Sequence, residues 1–203
     1  MPAARRLALL AGGVVLGAAL WWRKHPSACP YSQRFWVEAP HPFITRERLR
    51  EILAPQAGEH LLEIGPGTGY YTLPVAEWLT PAGGLDIVDV QQEMLDHTMR
   101  RAREAGIEHV VPVLADASEL PFADDTFDGA YLVTVLGEVP DQVAALRELG
   151  RVVRPGGRIV VGELFGDPHM VTHGSLASKA EAAGLPVERR LGGALWHFTR
   201  LQA

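Results

Sequence analysis

Residues 63–70 read Glu63-Ile64-Gly65-Pro66-Gly67-Thr68-Gly69-Tyr70, and their order decides the fold. A short apolar run at 60–64 delivers the chain into a loop in which every second residue from 65 to 69 is glycine. From 70 to 79 the spacing is helical, until Pro81, Gly83 and Gly84 end it. Strand, tight glycine turn and helix form the repeating unit of a doubly wound α/β sheet, whose ligands bind outside the carboxyl ends of the strands. Glycine lets the backbone approach a ligand closely at such a turn. The spacing here is G-x-G-x-G, not the G-x-G-x-x-G of dinucleotide-binding turns, and no Lys-Ser/Thr pair follows to make a phosphate-cradling loop.

Working outward, strands are expected at 85–90, 109–114, 127–133 and 158–162, and helices at 92–105, closed by Gly106, and at 141–153, stopped before Pro155-Gly156-Gly157. Strands separated by helices of about 10–15 residues indicate βαβ units and a parallel sheet. The tail differs. A helix at 176–183 leads to a strand at 187–191, then Gly192-Gly193, then a strand at 194–201. Two glycines between two strand-like runs predict a tight hairpin, which makes the last strand antiparallel. The expectation is a seven-stranded sheet, mostly parallel, without internal repeats. Upstream, Thr45 is placed to cap a helix running to about residue 53, with Arg48 where a capping-box Glu would be ideal.

Two acids fall at the ends of the strands after the glycine loop. Asp89 lies twenty residues beyond Gly69, where a ribose-binding carboxylate is expected. Asp116 ends the third strand and can accept a hydrogen bond from an exocyclic amine. Each alone reads equally as a solvated strand end or a cap; the ordered set of loop and two acids carries the signal.

Bulk properties narrow the class. Of 203 residues 47% are hydrophobic and 21% charged, a globular composition with enough apolar material for a core. A net charge of −5, with no Lys/Arg run longer than two residues, argues against a nucleic-acid partner. The single cysteine, Cys29, excludes an internal disulfide framework, and the scattered histidines suggest no metal site. At the front, residues 7–22 read LALLAGGVVLGAALWW, sixteen residues without a charge between Arg5-Arg6 and Arg23-Lys24. A spanning helix needs about 17–25 apolar residues, so the stretch is short, although Trp21 and Trp22 suit a membrane interface. Residues 1–24 are read as an N-terminal membrane-anchor helix; a cleaved secretory signal and an interfacial or buried helix are the alternatives. Basic residues flank both ends equally, so charge gives no orientation. Residues 25–44 hold Pro26, Pro30, Pro40 and Pro42 and read as a linker and cap over the site. The domain proper is 45–203.

Over 45–203 the sequence resembles the class I S-adenosylmethionine-dependent methyltransferases. LLEIGPGTGYYT at 61–72 is similar to their first motif, VDVQQEML at 88–95 to the segment with the ribose-binding acid, LADASELPFADDTFDGAYLVTVLGEV at 114–139 to the adenine-contacting segment and fourth strand, and LRELGRVVRPGGRIVVGE at 146–163 to the helix, turn and strand that follow. The resemblance implies the Rossmann-like methyltransferase fold with an antiparallel last strand. It implies S-adenosylmethionine as cofactor, with the backbone of Gly65, Pro66, Gly67, Thr68 and Gly69 against its methionine part and Glu63 supporting the loop or the amino group. Asp89 and Val90 would hold the ribose side, Asp116 and Ala117 the adenine. Among related families the sequence is most similar to enzymes acting on small molecules, quinones or lipids. A cytosolic cofactor implies a cytoplasmic catalytic domain behind the anchor.

The cofactor carries the electrophile, so no protein nucleophile is required and none is evident. An acceptor hydroxyl, or a ring carbon beside a phenol, benefits from a general base. Glu138 is the first candidate, followed by His169 and His173; the competing readings are a helix cap for Glu138 and loop surface for the histidines. Tyr70 and Tyr71 are placed to line the pocket or the core, and Phe35, Trp36 and Phe43 to form an apolar lid or pack the linker. The expected function is methyl transfer to a small, lipophilic acceptor such as a quinone or lipid. The alternative is a catalytically silent S-adenosylmethionine-binding or scaffolding protein of the same fold.

Overall fold

A computed structural model describes residues 26–38 and 41–203. The expected apolar helix at 7–22 lies outside them, and among the described residues no helix is long and apolar enough to cross a membrane. A 3-10 turn at Tyr31–Gln33 and a single helical turn, α1 (Phe35–Glu38), precede α2 (Arg46–Leu53). The rest alternates as expected: β1 (His60–Ile64), α3 (Thr72–Trp78), β2 (Gly84–Asp89), α4 (Gln92–Glu104), β3 (Val110–Leu114), β4 (Phe127–Val133), α5 (Gln142–Val152), β5 (Val153–Leu164), α6 (His173–Ala183), β6 (Val187–Gly192) and β7 (Trp196–Gln202). Thr45 caps α2 by accepting from the Arg48 amide.

The seven strands lie in the order β3-β2-β1-β4-β5-β7-β6. β1 pairs in parallel with β2 and β4, and β4 with β5. β7 is antiparallel to both β5 and β6, so it alone runs against the rest. Chain direction reverses its march at β1, so the crevice between β1 and β4 is the switch point at which doubly wound sheets bind ligands.

Both faces of the sheet are covered, which is why its central strands read as nearly continuous apolar runs. Leu62, Ile64, Leu132, Ile159 and Val161 face Ala145, Leu146 and Leu149 of α5 and Leu176 of α6. Their neighbours Leu61, Tyr131, Val133 and Val160 point the other way, onto Leu49 and Ile52 of α2, Val75 of α3 and Leu95 of α4. Each fully buried aliphatic side chain there contributes about 1.5–3 kcal/mol of transfer free energy.

The departures from expectation are local. α3 begins at Thr72, because Tyr70 and Tyr71 complete the glycine turn. α6 begins at His173, capped by Thr172, whose hydroxyl accepts from the Ser175 amide; Gly174 hid this start in the sequence. The hairpin is longer than two residues: Gly192 stays in β6, and the Gly193 amide donates to the Trp196 carbonyl. β5 starts at Val153, paired with Phe127 ahead of an irregularity in the ladder.

Candidate cofactor and acceptor site

The glycine loop leaves β1 and is held from two sides. The Gly65 amide donates to the Val88 carbonyl on β2, and the Gly69 amide closes a turn onto Pro66. On the far side the Gly67 carbonyl accepts from the Thr98 hydroxyl at 3.0 Å, and the Thr68 carbonyl accepts from the Arg101 guanidinium at 2.6 Å. Both donors stand on α4, one turn apart, so this helix fixes the loop by its carbonyls. The amides of Gly67 and Thr68 donate to no described residue. Two neighbouring N–H groups without an internal acceptor, in a glycine turn, fit a ligand carboxylate. Gly65 has φ +66°, and a Cβ there would lie 2.4 Å from Val135 Cγ2, so only glycine lets the loop meet the chain after β4. Thr68 is fully buried, side chain and backbone alike, so of the two amides it is that of Gly67 that lies in a half-buried part of the loop.

Glu63 lies under this loop rather than in it. It is buried, opposite Tyr131 in the β1–β4 register, and its carboxylate accepts from the Thr72 hydroxyl at 2.5 Å. Burial pushes its pKa up to about 7, against the pull of that hydrogen bond. Glu63 therefore lies beneath the loop, tied to the first residue of α3.

Asp89 ends β2. One carboxylate oxygen accepts from the Gln91 amide at 2.9 Å, and burial pushes its pKa up to about 6. A carboxylate at a strand's carboxyl end, short of partners, suits a pair of ribose hydroxyls. Beside it Val90 is 54% exposed, and on the neighbouring strand Leu114 is 56% exposed. Ala117, just past β3, is buried in the core. Asp116 is exposed, with Oδ1 turned onto the Ser118 amide and hydroxyl, which hold its pKa low. Its other oxygen is left for a ligand amine. Taken together, the glycine loop, Asp89 and the exposed apolar side chains at the ends of β2 and β3 fit S-adenosylmethionine.

Residues 26–38 cross this mouth. The Cys29 amide donates to Glu138 Oε2 at 3.1 Å, the Gln91 side chain donates to the Cys29 carbonyl at 2.9 Å, and the Tyr31 amide donates back to Gln91 at 3.2 Å. The Tyr31 hydroxyl reaches His97 on α4 at 3.1 Å. The segment thus spans from the end of β4 to the end of β2. Gln91 and Cys29 were not singled out from the sequence; Gln91 follows the ribose-type acid by two residues, the only cue it offered.

Glu138 closes a 3-10 turn, Leu136–Glu138, after β4. The helix-cap reading fails: α5 is capped by Asp141, which accepts from the Ala144 amide at 2.9 Å. Burial pushes the Glu138 pKa up to about 8, helped by the nearby charges of Asp167 and Asp89 and opposed by the Cys29 amide. Gly137 makes the next close approach, since a Cβ there would lie 1.9 Å from the His169 carbonyl. That contact stacks the loop after β5 on the loop after β4 and brings Asp167 near. Glu163, the penultimate residue of β5, is fully buried and holds the same loop by accepting from the Val171 amide at 3.1 Å.

The histidines are not loop surface. His169 is buried, its amide donating to Asp167 at 2.7 Å. His173 stacks on His197 with ring centroids 3.9 Å apart. Tyr71 is core, its hydroxyl donating to the Ile44 carbonyl at 2.5 Å, whereas Tyr70 packs under the Arg46 guanidinium. Among the described residues no cluster of His, Cys, Asp and Glu could hold a metal ion.

Comparisons with known proteins bear on the family and the fold. An O-methyltransferase, cnsE, of Penicillium expansum is 38% identical over 116 residues, 57% of this chain and 41% of that protein. A demethylmenaquinone methyltransferase of Staphylococcus aureus (strain JH9) is 33% identical over 117 residues, 58% of this chain and 48% of that protein. The matches thus span under half the length of these curated relatives. A solved SAM-dependent methyltransferase from Aquifex aeolicus superposes with a TM-score of 0.79 over 86% of this chain and 98% of its own, at 18% identity, which shows the shared fold. Residues 41–174, covering the glycine loop, Asp89, Asp116 and Glu138, match the ubiE/COQ5 methyltransferase family. The chain belongs to that family, and with it to the class I S-adenosylmethionine-dependent methyltransferases.

Proposed function

We propose that the protein transfers the methyl group of S-adenosylmethionine to a small lipophilic acceptor, a quinol-type ring or a lipid hydroxyl, by in-line displacement. The observation that carries this reading is the pair of half-satisfied carboxylates, Asp89 and Glu138, standing at the ends of β2 and β4 on either side of the glycine loop. The bound cofactor supplies the electrophilic methyl group.

The chain's own residues do the rest. The half-buried amide of Gly67 takes the carboxylate end of the cofactor, and Asp89 takes the ribose. Val90, Leu114, Asp116 and Ala117 enclose the adenine. Glu138 is the acid-base group on the acceptor side. With its pKa near 8 it is largely neutral at neutral pH, and facing a cationic ligand it would ionise more readily and accept an acceptor's proton. Residues 26–38, tied to Gln91 and Glu138, exclude water above the reacting atoms. Positioning of this kind supplies up to about 7–11 kcal/mol of a barrier in favourable cases.

The demethylmenaquinone relative supports a quinone acceptor. The division into an anchor at 1–24, a cap at 25–44 and a catalytic domain at 45–203 belongs to the same reading, and the hydrogen bonds from Cys29 to Glu138 and from Tyr31 to Gln91 support a cap. A membrane anchor with a cytoplasmic catalytic domain suits a cytosolic cofactor and a bilayer-dissolved acceptor. The test is to incubate full-length protein in membranes with methyl-labelled S-adenosylmethionine and to partition products between organic solvent and water, with Asp89→Ala alongside. Label in the organic phase that depends on Asp89 supports a lipophilic acceptor. Asp89-dependent label confined to water rejects it.

A further inference from the structure

Exposed large apolar side chains are unevenly placed on this fold. Phe165 is 68% exposed, Leu195 58% and Phe43 47%. Phe165 directly follows β5, and its amide donates to the Leu195 carbonyl at 2.7 Å; Leu195 directly precedes β7. Trp196 comes next, and the Arg48 guanidinium lies 4.2 Å above its ring while also donating to the Phe43 carbonyl. These contacts set the three exposed residues along the carboxyl edge of the sheet, Phe165 tied to Leu195 through the backbone and Phe43 to Trp196 through Arg48. β5 adjoins β4, so this group flanks the side of the mouth where Glu138 and Asp167 stand. Val90 and Leu114, exposed on the opposite side, are accounted for by the proposed cofactor site. Val187 and Val111 lie elsewhere, at the start of β6 and within the edge strand β3.

The described chain begins on the same side. Pro26 stands three residues before Cys29, which bonds Glu138 and lies close enough to Asp167 for that charge to raise its thiol pKa. Upstream stand Arg23 and Lys24, and before them the charge-free stretch 7–22. Trp22 and Cys29 are seven positions apart, a reach of at most about 25 Å at 3.3–3.6 Å per residue. Whatever surface receives that apolar stretch therefore lies within this distance of the mouth.

We propose that the exposed side chains of Phe43, Leu195 and Phe165, with Arg48 between Phe43 and Trp196, form a docking face for a lipid bilayer, and that this face sets the acceptor side of the mouth against the membrane surface. Aromatic and aliphatic side chains beside an arginine are the composition of an interfacial contact, in which the rings enter the headgroup boundary and the guanidinium stays with the headgroups. Docked this way, a bilayer-dissolved acceptor enters beside Phe165 and reaches Glu138 without crossing water. The proposal rests on the lipophilic-acceptor reading and adds an orientation to it.

The experiment places a nitroxide label on full-length protein in a Cys29→Ser background, at Phe165→Cys or Leu195→Cys, with Val187→Cys and Val111→Cys as references. Accessibility to a water-soluble nickel chelate and to oxygen is read with and without phosphatidylcholine–phosphatidylglycerol vesicles. The expected result is a several-fold loss of nickel accessibility and a gain in oxygen accessibility at 165 and 195 on adding vesicles, with 187 and 111 unchanged. Equal accessibility at all four positions on vesicle-bound protein overturns the proposal, as does a protein that leaves vesicles unbound. Protection at 165 and 195 without vesicles, growing with protein concentration, overturns it in favour of a second copy of the chain. Methyl transfer to a short-chain, water-soluble quinol, assayed in parallel, separates the two ideas: transfer retained with no docking sinks the orientation alone, and no transfer to any quinol sinks the acceptor reading.

Discussion

Replacing Gly65 by alanine probes the joint between the glycine loop and the chain after β4. The new Cβ would stand 2.4 Å from Val135 Cγ2 and 2.9 Å from Cγ1, and the residue would have to keep φ +66°. Holding a non-glycine residue in the left-handed region costs roughly 1–2 kcal/mol. Displacing a packed valine costs typically about 1–3 kcal/mol more. In a chain of this length each kcal/mol lowers Tm by about 2–4 °C, so a fall on the order of 10 °C is expected. Val135→Ala combined with Gly65→Ala removes the steric part and keeps the conformational part, so the double variant should recover about half the loss. Thermal unfolding gives the stability, and calorimetric titration with S-adenosylmethionine gives the affinity, which should fall in the single variant because the loop amides shift. A Gly65→Ala protein with wild-type Tm and affinity would refute the reasoning, and a double variant no better than the single would refute its steric half.

Three further outcomes follow from the site. Glu138→Gln should lower kcat far more than the affinity for S-adenosylmethionine and abolish a rise in rate that the wild type shows on the acid side of about pH 8, measured as the pH profile of labelled methyl transfer. Thr72→Val removes the hydroxyl that Glu63 accepts from and leaves a buried carboxyl short of a partner, a loss of about 1–3 kcal/mol readable by denaturant titration. Stability should decline as pH rises from about 5 to 8: Asp89, Glu63 and Glu138 have folded pKa values raised to about 6, 7 and 8, so the folded state binds more protons than the unfolded one across that window. The Tm measured across that range checks the sign, and a Tm that climbs toward pH 8 contradicts the assignment of these groups as buried and under-partnered.

Much of the architecture was legible because it rests on periodicity. The glycine loop, the alternation after it and the antiparallel last strand all follow from local spacing. Candidate site residues could be named from the sequence only where an acid coincides with a strand end, as at Asp89 and Asp116. What stayed hidden depends on contacts across long stretches of chain. Thr98 and Arg101 look like ordinary helix residues until α4 docks on the loop carbonyls. Gln91 and Cys29 meet across sixty-two positions. Glu138 and Asp141 are three residues apart with similar side chains, and the 3-10 turn decides which of them caps α5 and which enters the mouth. The histidines misled for the same reason: Gly137 lets the loop after β5 fold inward and takes His169 off the surface.

The central claim is that the carboxyl ends of β1, β2 and β3 hold S-adenosylmethionine. Calorimetric titration of the full-length protein tests it most directly, with S-adenosylmethionine, its demethylated product and NAD as ligands and Asp89→Ala as the comparison. The account predicts saturable binding of the first two, weakened at least about ten-fold by Asp89→Ala, the equivalent of about 1.4 kcal/mol lost from ribose recognition, and no binding of NAD. Binding of NAD in place of S-adenosylmethionine, or an affinity indifferent to Asp89, would contradict it.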